Sequence, residues 1–369
     1  MCSKMAVEIP KQIEDVTDGW LSEVLGAEVA GHSLNRIGEG VGLMGDIYRV
    51  GLEYGSAGGG PASVVVKLPS SHEENKAQGV ALGMFAAEVK FYNELAPSVS
   101  VGMPGVHLAV VDDGGAEFVI VMEDLSDLQM VDQSQGMNLE QAKAAVQVLA
   151  GVHATFWDDV DRPELEWIPT MTGPRIEFVD QMMVNIFPVF AEHFGADLPE
   201  GGLALYEQFI GNYLKIMKVI CARSPWTIAH QDYRIENLLF GAAGSGRVVV
   251  LDWQGLGRGV GAYDLAYVLG GSMPSELRRA HEQELVGAYH QALLAAGVEG
   301  FGFDAIWEDY AHAQLMGGLA VSIVTGGSMD LSNDRARALI ATMARRHVQA
   351  ALDHDGPARL AEIIGAQPR

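Results

Sequence analysis

Residues 228–240, Ile-Ala-His-Gln-Asp-Tyr-Arg-Ile-Glu-Asn-Leu-Leu-Phe, and residues 248–254, Val-Val-Val-Leu-Asp-Trp-Gln, constrain this chain most. They hold two carboxylates, Asp232 and Asp252, and one carboxamide, Asn237, each beside a short apolar run. Such runs, bounded by turn residues, read as strands that put their ends at the mouth of a buried sheet. The glycine-rich segment 241–246 reads as a hairpin turn and brings Asn237 and Asp252 back towards each other. A hard oxygen from each, with phosphate oxygens, is a usual way to hold magnesium, which keeps few protein ligands. Asp232, five residues before Asn237, is then free to orient or deprotonate an attacking hydroxyl. That division of labour is phosphoryl-transfer chemistry.

The pattern His230-x-Asp232-x-x-x-x-Asn237, followed by Asp252-Trp253-Gln254, resembles the catalytic and metal loops of the protein-kinase-like fold. The protein-kinase form is H-R-D-L-x-x-x-N with D-F-G. Leu238-Leu239-Phe240 after the asparagine, Asp252-Trp253-Gln254, and Asp264-Leu265-Ala266-Tyr267 look closer to small-molecule kinases of the aminoglycoside phosphotransferase and ecdysteroid-kinase-like (choline-kinase-like) families. Two departures mark the chain. Gln231 stands where many relatives have glycine, on the expected acceptor side. Gln254 replaces the glycine of D-F-G, as in the ecdysteroid-kinase-like branch.

Two unrelated strands with polar ends could carry the same motif, so the order of the remaining chain decides. Glycines 38, 40, 42 and 45 lie between strand-like segments, suiting a hairpin whose backbone approaches phosphates closely. Gly40 and Gly42 are the candidate contacts. Residues 63–68 read as a buried strand carrying Lys67, which costs desolvation without a partner. Glu88 is the expected partner, on a helix where Phe85, Val89 and Tyr92 follow helical spacing. In the family such a pair fixes the lysine against the nucleotide's phosphates. Residues 118–125 resemble the hinge between lobes, which implies adenine contacts at Glu123 and Leu125. Asn138 and Gln141 form a capping-box pattern opening a helix, and His153 on that helix reads as a packed core histidine.

The expected fold is α+β and bilobal, protein-kinase-like, with a small β-rich lobe over 1–125 and a larger, mostly helical lobe over 126–369. Helices are expected over 176–193, 203–222, 275–296, 303–324 and 333–353. Only twelve positions separate Asp252 from Asp264 and no A-P-E follows, so a peptide-kinase activation segment does not fit. The net charge of −24 argues against nucleic acid. Two cysteines give no disulfide framework, and the eleven histidines show no paired-ligand spacing for zinc. The most apolar late stretch, 315–324, is too short to span a membrane. An acidic cytoplasmic protein is expected, a monomer or weak homodimer.

The resemblance implies an ATP- and Mg2+-dependent phosphotransferase acting on a small-molecule hydroxyl. Asp232 is the candidate base, and Asn237 and Asp252 the metal ligands. Arg234 is a candidate for steadying the γ-phosphate, with pairing to Glu236 or another carboxylate as its alternative. Phe178, Met182, Met183, Phe187, Phe190, Trp307, Tyr310 and Met316 favour an apolar, steroid- or lipid-like acceptor. Core packing explains these residues equally well. The other readings are a cationic acceptor of aminoglycoside or choline type, and a non-catalytic nucleotide-binding pseudokinase.

Overall fold

A computed structural model of the chain describes residues 7–37, 45–55, 59–328 and 334–365. These fall into two units. Met1–Val99, Met103–Asp127 and Leu251–Gly255 form the first, and Ser100–Gly102, Leu128–Val250 and Leu256–Arg369 the second.

In the first unit, α1 (Asp18–Leu25) starts at Thr17, whose hydroxyl accepts the Trp20 N–H, and stops at Gly26 in the left-handed region. The strands are β1 (Val29–Ile37), β2 (Gly45–Tyr54) and β3 (Ser63–Pro69). Two helices follow, α2 (Glu73–Ala81) and α3 (Met84–Lys90), then β4 (Val106–Val111) and β5 (Phe118–Glu123). The antiparallel sheet runs β1-β2-β3-β5-β4. Successive strand residues face opposite sides. Val64, Val66 and Leu68 therefore join Trp20, Leu21, Val119 and Val121 in one core. Lys67 takes the other face, opposite Ile120 in the register. The α2 helix was not foreseen, because residues 73–81 carry too few apolar side chains to show a stripe.

The second unit opens with β6 (Gln129–Met130) and α4 (Leu139–Thr155). The Asn138–Gln141 capping box is formed in both directions, at 2.9 and 3.0 Å. Next come α5 (Pro174–Phe194), α6 (Gly202–Phe209) and α7 (Tyr213–Cys221). One helix was expected over 203–222, and two are found. Gly211 takes a left-handed φ of 73°. The Asp180 carboxylate, from α5, then accepts the Tyr213 and Leu214 N–H groups at 3.2 Å each, restarting a helix at α7.

Strands β7 (Trp226–Ala229), β8 (Leu238–Phe240), β9 (Val248–Val250) and β10 (Gly257–Val260) follow. The expected hairpin is β8 with β9, antiparallel, and β10 pairs with β7. The remaining helices are α8 (Ala262–Ser272), α9 (Ser275–Ala295), α10 (Phe303–Ala313), α11 (Gly317–Ser328), α12 (Asp334–Asp353) and α13 (Gly356–Gly365). The single helix expected over 303–324 is also broken. Its turns tighten at Leu315 and Met316, whose N–H groups reach back three residues. It restarts at Gly317 and Gly318, where a Cβ would stand 2.0 Å from the Tyr263 hydroxyl oxygen and 2.2 Å from His347 Nδ1. Only glycine permits that approach. Among the described residues no helix is long and apolar enough to cross a membrane.

Candidate active site

Lys67 sits on the sheet face that α3 covers. Phe85 and Val89 bury the inner side of α3, and Glu88, on its flank, is 1% exposed. Lys67 Nζ donates to Glu88 Oε2 at 2.7 Å and Oε1 at 3.0 Å, and to Asp252 Oδ1 at 3.0 Å. Burial would push the ammonium down, but Asp252 and Glu88 together hold it above its ordinary value. Two carboxylates face one cation. Burial lifts the Glu88 carboxyl above its usual range, against the pull of Lys67 and with Asp252 adding to the rise.

Asp252 has a left-handed φ of 66°. The next residue, Trp253, stacks on Phe91 with centroids 3.9 Å apart. Gln254 Nε2 donates to Asp252 Oδ2 at 3.1 Å, so this departure from D-F-G acts directly on the candidate metal ligand. The Glu123 N–H is given to the Gly105 carbonyl at 2.8 Å, so that group is already committed. Leu125 is buried. Gly40 and Gly42 lie outside the described residues.

In the second unit the loop after β7 is fixed from below by Asp264, which is fully buried in the first turn of α8. Its carboxylate accepts the His230 N–H at 2.6 Å and the Gln231 N–H at 2.9 Å. His153 Nε2 lies 3.2 Å from the same carboxylate, and His153 Nδ1 2.7 Å from the Tyr289 hydroxyl. His153 is thus a core residue as expected, but one that braces the loop through Asp264.

Asp232 is held at both oxygens. Oδ1 accepts the Tyr267 hydroxyl at 3.0 Å, and Oδ2 accepts Asn237 Nδ2 at 2.9 Å. Asn237 Nδ2 also reaches the Asp232 carbonyl at 2.9 Å, which turns the amide nitrogen inward and leaves Asn237 Oδ1 as the oxygen it can offer a cation. Arg234 pairs with Glu236 and approaches Asp232 Oδ1 and Oδ2 at 3.4 Å. Arg234 does have the carboxylate partner Glu236, but it is largely buried and is not a surface arginine. Burial opposes its charge, and Asp232 and Glu236 hold it above its ordinary value. Gln231, with a left-handed φ of 66°, accepts Arg175 Nη2 of α5 at 2.8 Å.

The structure therefore groups Lys67, Glu88 and Asp252 in one unit and Asp232, Arg234 and Asn237 in the other. Sequence reasoning assigned no role to Tyr267, Asp264 or Arg175. Asp264 was visible as a charge in an otherwise apolar helix, and Tyr267 three residues later shares its face.

The expected apolar acceptor set needs correction. Met183, Phe190, Tyr310 and Met316 are 0% exposed, and Phe190 packs between Phe194 and Tyr206. These four are core and line nothing open. Phe178 is 57% exposed, and Met182, Phe187 and Trp307 are half-buried.

The sequence matches the ecdysteroid kinase-like family over residues 39–297, well over half of the chain. No curated protein matches it. Among solved structures, choline kinase from Cryptosporidium parvum is similar with a TM-score of 0.52 at 10% identity, over 90% of this chain and 91% of its own. The GDP complex of an aminoglycoside 2'-phosphotransferase gives 0.51 at 12% identity, over 96% of this chain and 95% of its own. Ethanolamine kinase from Plasmodium vivax gives 0.50 at 10%, over 90% and 84%. At these identities the likeness establishes the fold: mixed α+β and protein-kinase-like, as the sequence led us to expect.

Proposed function

We propose, proceeding from the fact that this chain belongs to the ecdysteroid kinase-like family, that it moves the γ-phosphoryl group of ATP to a hydroxyl of a small, largely apolar alcohol. The observation that carries this reading is the Asp232 carboxylate, fixed at both oxygens beside a braced loop. A carboxylate so fixed suits orienting a hydroxyl and taking its proton, where placement matters more than covalent chemistry.

Lys67, kept charged by Glu88 and Asp252, suits binding the nucleotide's phosphates. Magnesium fits the donor set. Asp252 in the first unit and Asn237 in the second each carry a hard oxygen of the kind it takes, and the ion would neutralise charge on the transferring group. Arg234, committed to Asp232 and Glu236, is better suited to stiffening the loop than to reaching a phosphate.

The apolar acceptor rests on a face of α5. Arg175, Phe178, Met182, Ile186 and Val189 recur at spacings of three and four and so share one side of the helix. Phe178 is 57% and Val189 41% exposed, and Met182 and Ile186 are half-buried. The stripe starts at the arginine that holds Gln231, the residue before Asp232. A stripe with exposed apolar ends and half-buried residues between them supports a surface that binds an apolar group. The net charge of −24 mostly reports solubility and long-range steering, so it does not favour a cationic acceptor.

The test is incubation with Mg-ATP and, separately, an ecdysteroid, kanamycin and choline, read by mass spectrometry for the gain of one phosphate. Phosphorylation of the ecdysteroid with the two cations inert is expected, and Asp232→Asn should lower the rate by about 10²–10⁴. Phosphorylation of kanamycin or choline alone would overturn the acceptor. An Asp232→Asn variant at wild-type rate would overturn the base.

A further inference from the structure

Two donors without charge, Tyr267 and Asn237, take one Asp232 oxygen each. Asn237 belongs to the motif that identified the loop. Tyr267 comes from α8, thirty-five residues away, and is 2% exposed. Its position is over-determined. Tyr267 and Gly271 lie four apart on one face of α8, and the His347 ring of α12 lies over both, its centroid 5.1 Å from that of Tyr267. A Cβ on Gly271 would stand 2.3 Å from His347 Nε2, and one on Gly318 of α11 2.2 Å from His347 Nδ1. The imidazole fits only because both sites are glycine. Neither α11 nor α12 lies within the stretch that matches the family, which ends at residue 297.

We infer that Tyr267 is a positioning residue for Asp232, seated by the glycine-cradled His347, and that it sets which way the carboxylate faces the acceptor hydroxyl. This rests on Asp232 being the base. Without Tyr267, Oδ1 would keep only the longer approach of Arg234 Nε at 3.4 Å, a weaker hold on rotation about the Cβ–Cγ bond than a short hydrogen bond. With Oδ1 on Tyr267 and Oδ2 on Asn237, the carboxylate plane is fixed while each oxygen keeps lone pairs for a further hydrogen bond. Burial, with the Asp232 charge adding to it, holds the Tyr267 phenol well above its ordinary value, so it stays a donor throughout the working pH range.

Tyr267→Phe deletes the hydroxyl and keeps the ring on His347. Steady-state transfer from Mg-ATP to an ecdysteroid, with release of inorganic phosphate to water measured in parallel, should show kcat down about tenfold and the KM for ATP unchanged. Two groups acting through one interaction do not add. In an Asp232→Asn background Tyr267→Phe should therefore cost less than about twofold. Wild-type kcat in Tyr267→Phe, or an equal loss in both backgrounds, would overturn the positioning role. A KM for ATP that rises in step with the fall in kcat would also overturn it, by showing a general disturbance. If Asp232→Asn itself matched wild type, the base assignment would fail, and with it the inference. The single and double variants thus separate the two failures.

Discussion

Lys67 and Asp232 are both charged side chains carried by apolar strands or the loops that follow them, and the two units hold them in different ways. Lys67 is balanced by charge: two carboxylates surround one ammonium, and all three belong to the first unit. Asp232 is fixed mainly by neutral donors, a phenol and an amide, with Arg234 at the longer distance of 3.4 Å. A cluster with one carboxylate too many is suited to a further cation, and its energetics depend on pH. A carboxylate held by neutral groups keeps its orientation without a counter-ion. The first arrangement suits binding and the second suits placing a reacting group.

The sharpest way to break the comparison is Lys67→Met, which leaves Glu88 buried with no cation beside it. Removing one partner of a buried pair costs about 3–5 kcal/mol. Without Lys67, burial lifts Glu88 with nothing nearby pulling it down, so the folded carboxyl takes its proton at higher pH than the unfolded one. A group raised in this way contributes stability at low pH and loses it as pH climbs through the folded value. The deficit in denaturant melts should therefore grow from about pH 5 to about pH 8. A deficit that stays flat with pH would show that Glu88 is not carrying uncompensated charge.

The corresponding probe in the second unit is steric. Gly318→Ala puts a methyl 2.2 Å from His347 Nδ1. Overpacking of this kind costs about 1–3 kcal/mol. Burial, with Arg346 adding to it, pushes His347 down to about 3, so the folded ring is neutral across the pH interval of these melts. The wild type loses stability below the ordinary histidine value, because the unfolded ring takes a proton that the folded one refuses. Gly318→Ala shares that slope, so its deficit relative to wild type should be flat from about pH 5 to about pH 8. A pH-dependent deficit would place a charged group in the cradle and narrow the difference between the units.

What the sequence disclosed follows the range of the forces involved. The capping box at Asn138, the β8–β9 hairpin and the Lys67–Glu88 pair are set by local chemistry or by the cost of burying one charge, and all three could be read from residue order. The break between α6 and α7 depends on Asp180, which lies thirty-three residues before the Tyr213 N–H it accepts, and no local pattern carries that. The break before α11 depends on Tyr263 and His347, distant in sequence from the glycines they approach. The acceptor set went half wrong for a related reason. Phe190 and Phe178 share a helix and a side-chain type, yet one lies on the buried face with Ile176, Met183 and Phe194 and the other is 57% exposed, and which of the two apolar faces turns inward is decided by tertiary packing. Tyr267 was quoted with its motif, but its contact with Asp232 comes from how α8 packs.

The smallest effect sharpens the comparison at a feature the units share. Gln231 and Asp252 both adopt a φ of 66°, where L side chains are strained. Asp252 has a candidate chemical role that explains tolerating the strain. Gln231 has instead its bond to Arg175, and its amide lies against Gly257, where a Cβ would stand 2.0 Å from Gln231 Nε2. If the side chain is retained for that bond, two substitutions separate the terms. Gln231→Ala loses the bond and keeps the strain, whereas Gln231→Gly loses the bond and relieves the strain. The glycine variant should be the more stable of the two by about 1 kcal/mol in denaturant melts. It should lie within about 1 kcal/mol of wild type, since a net hydrogen bond and the relieved strain are of similar size. Equal stabilities for the two variants would mean that the left-handed backbone costs nothing at this position.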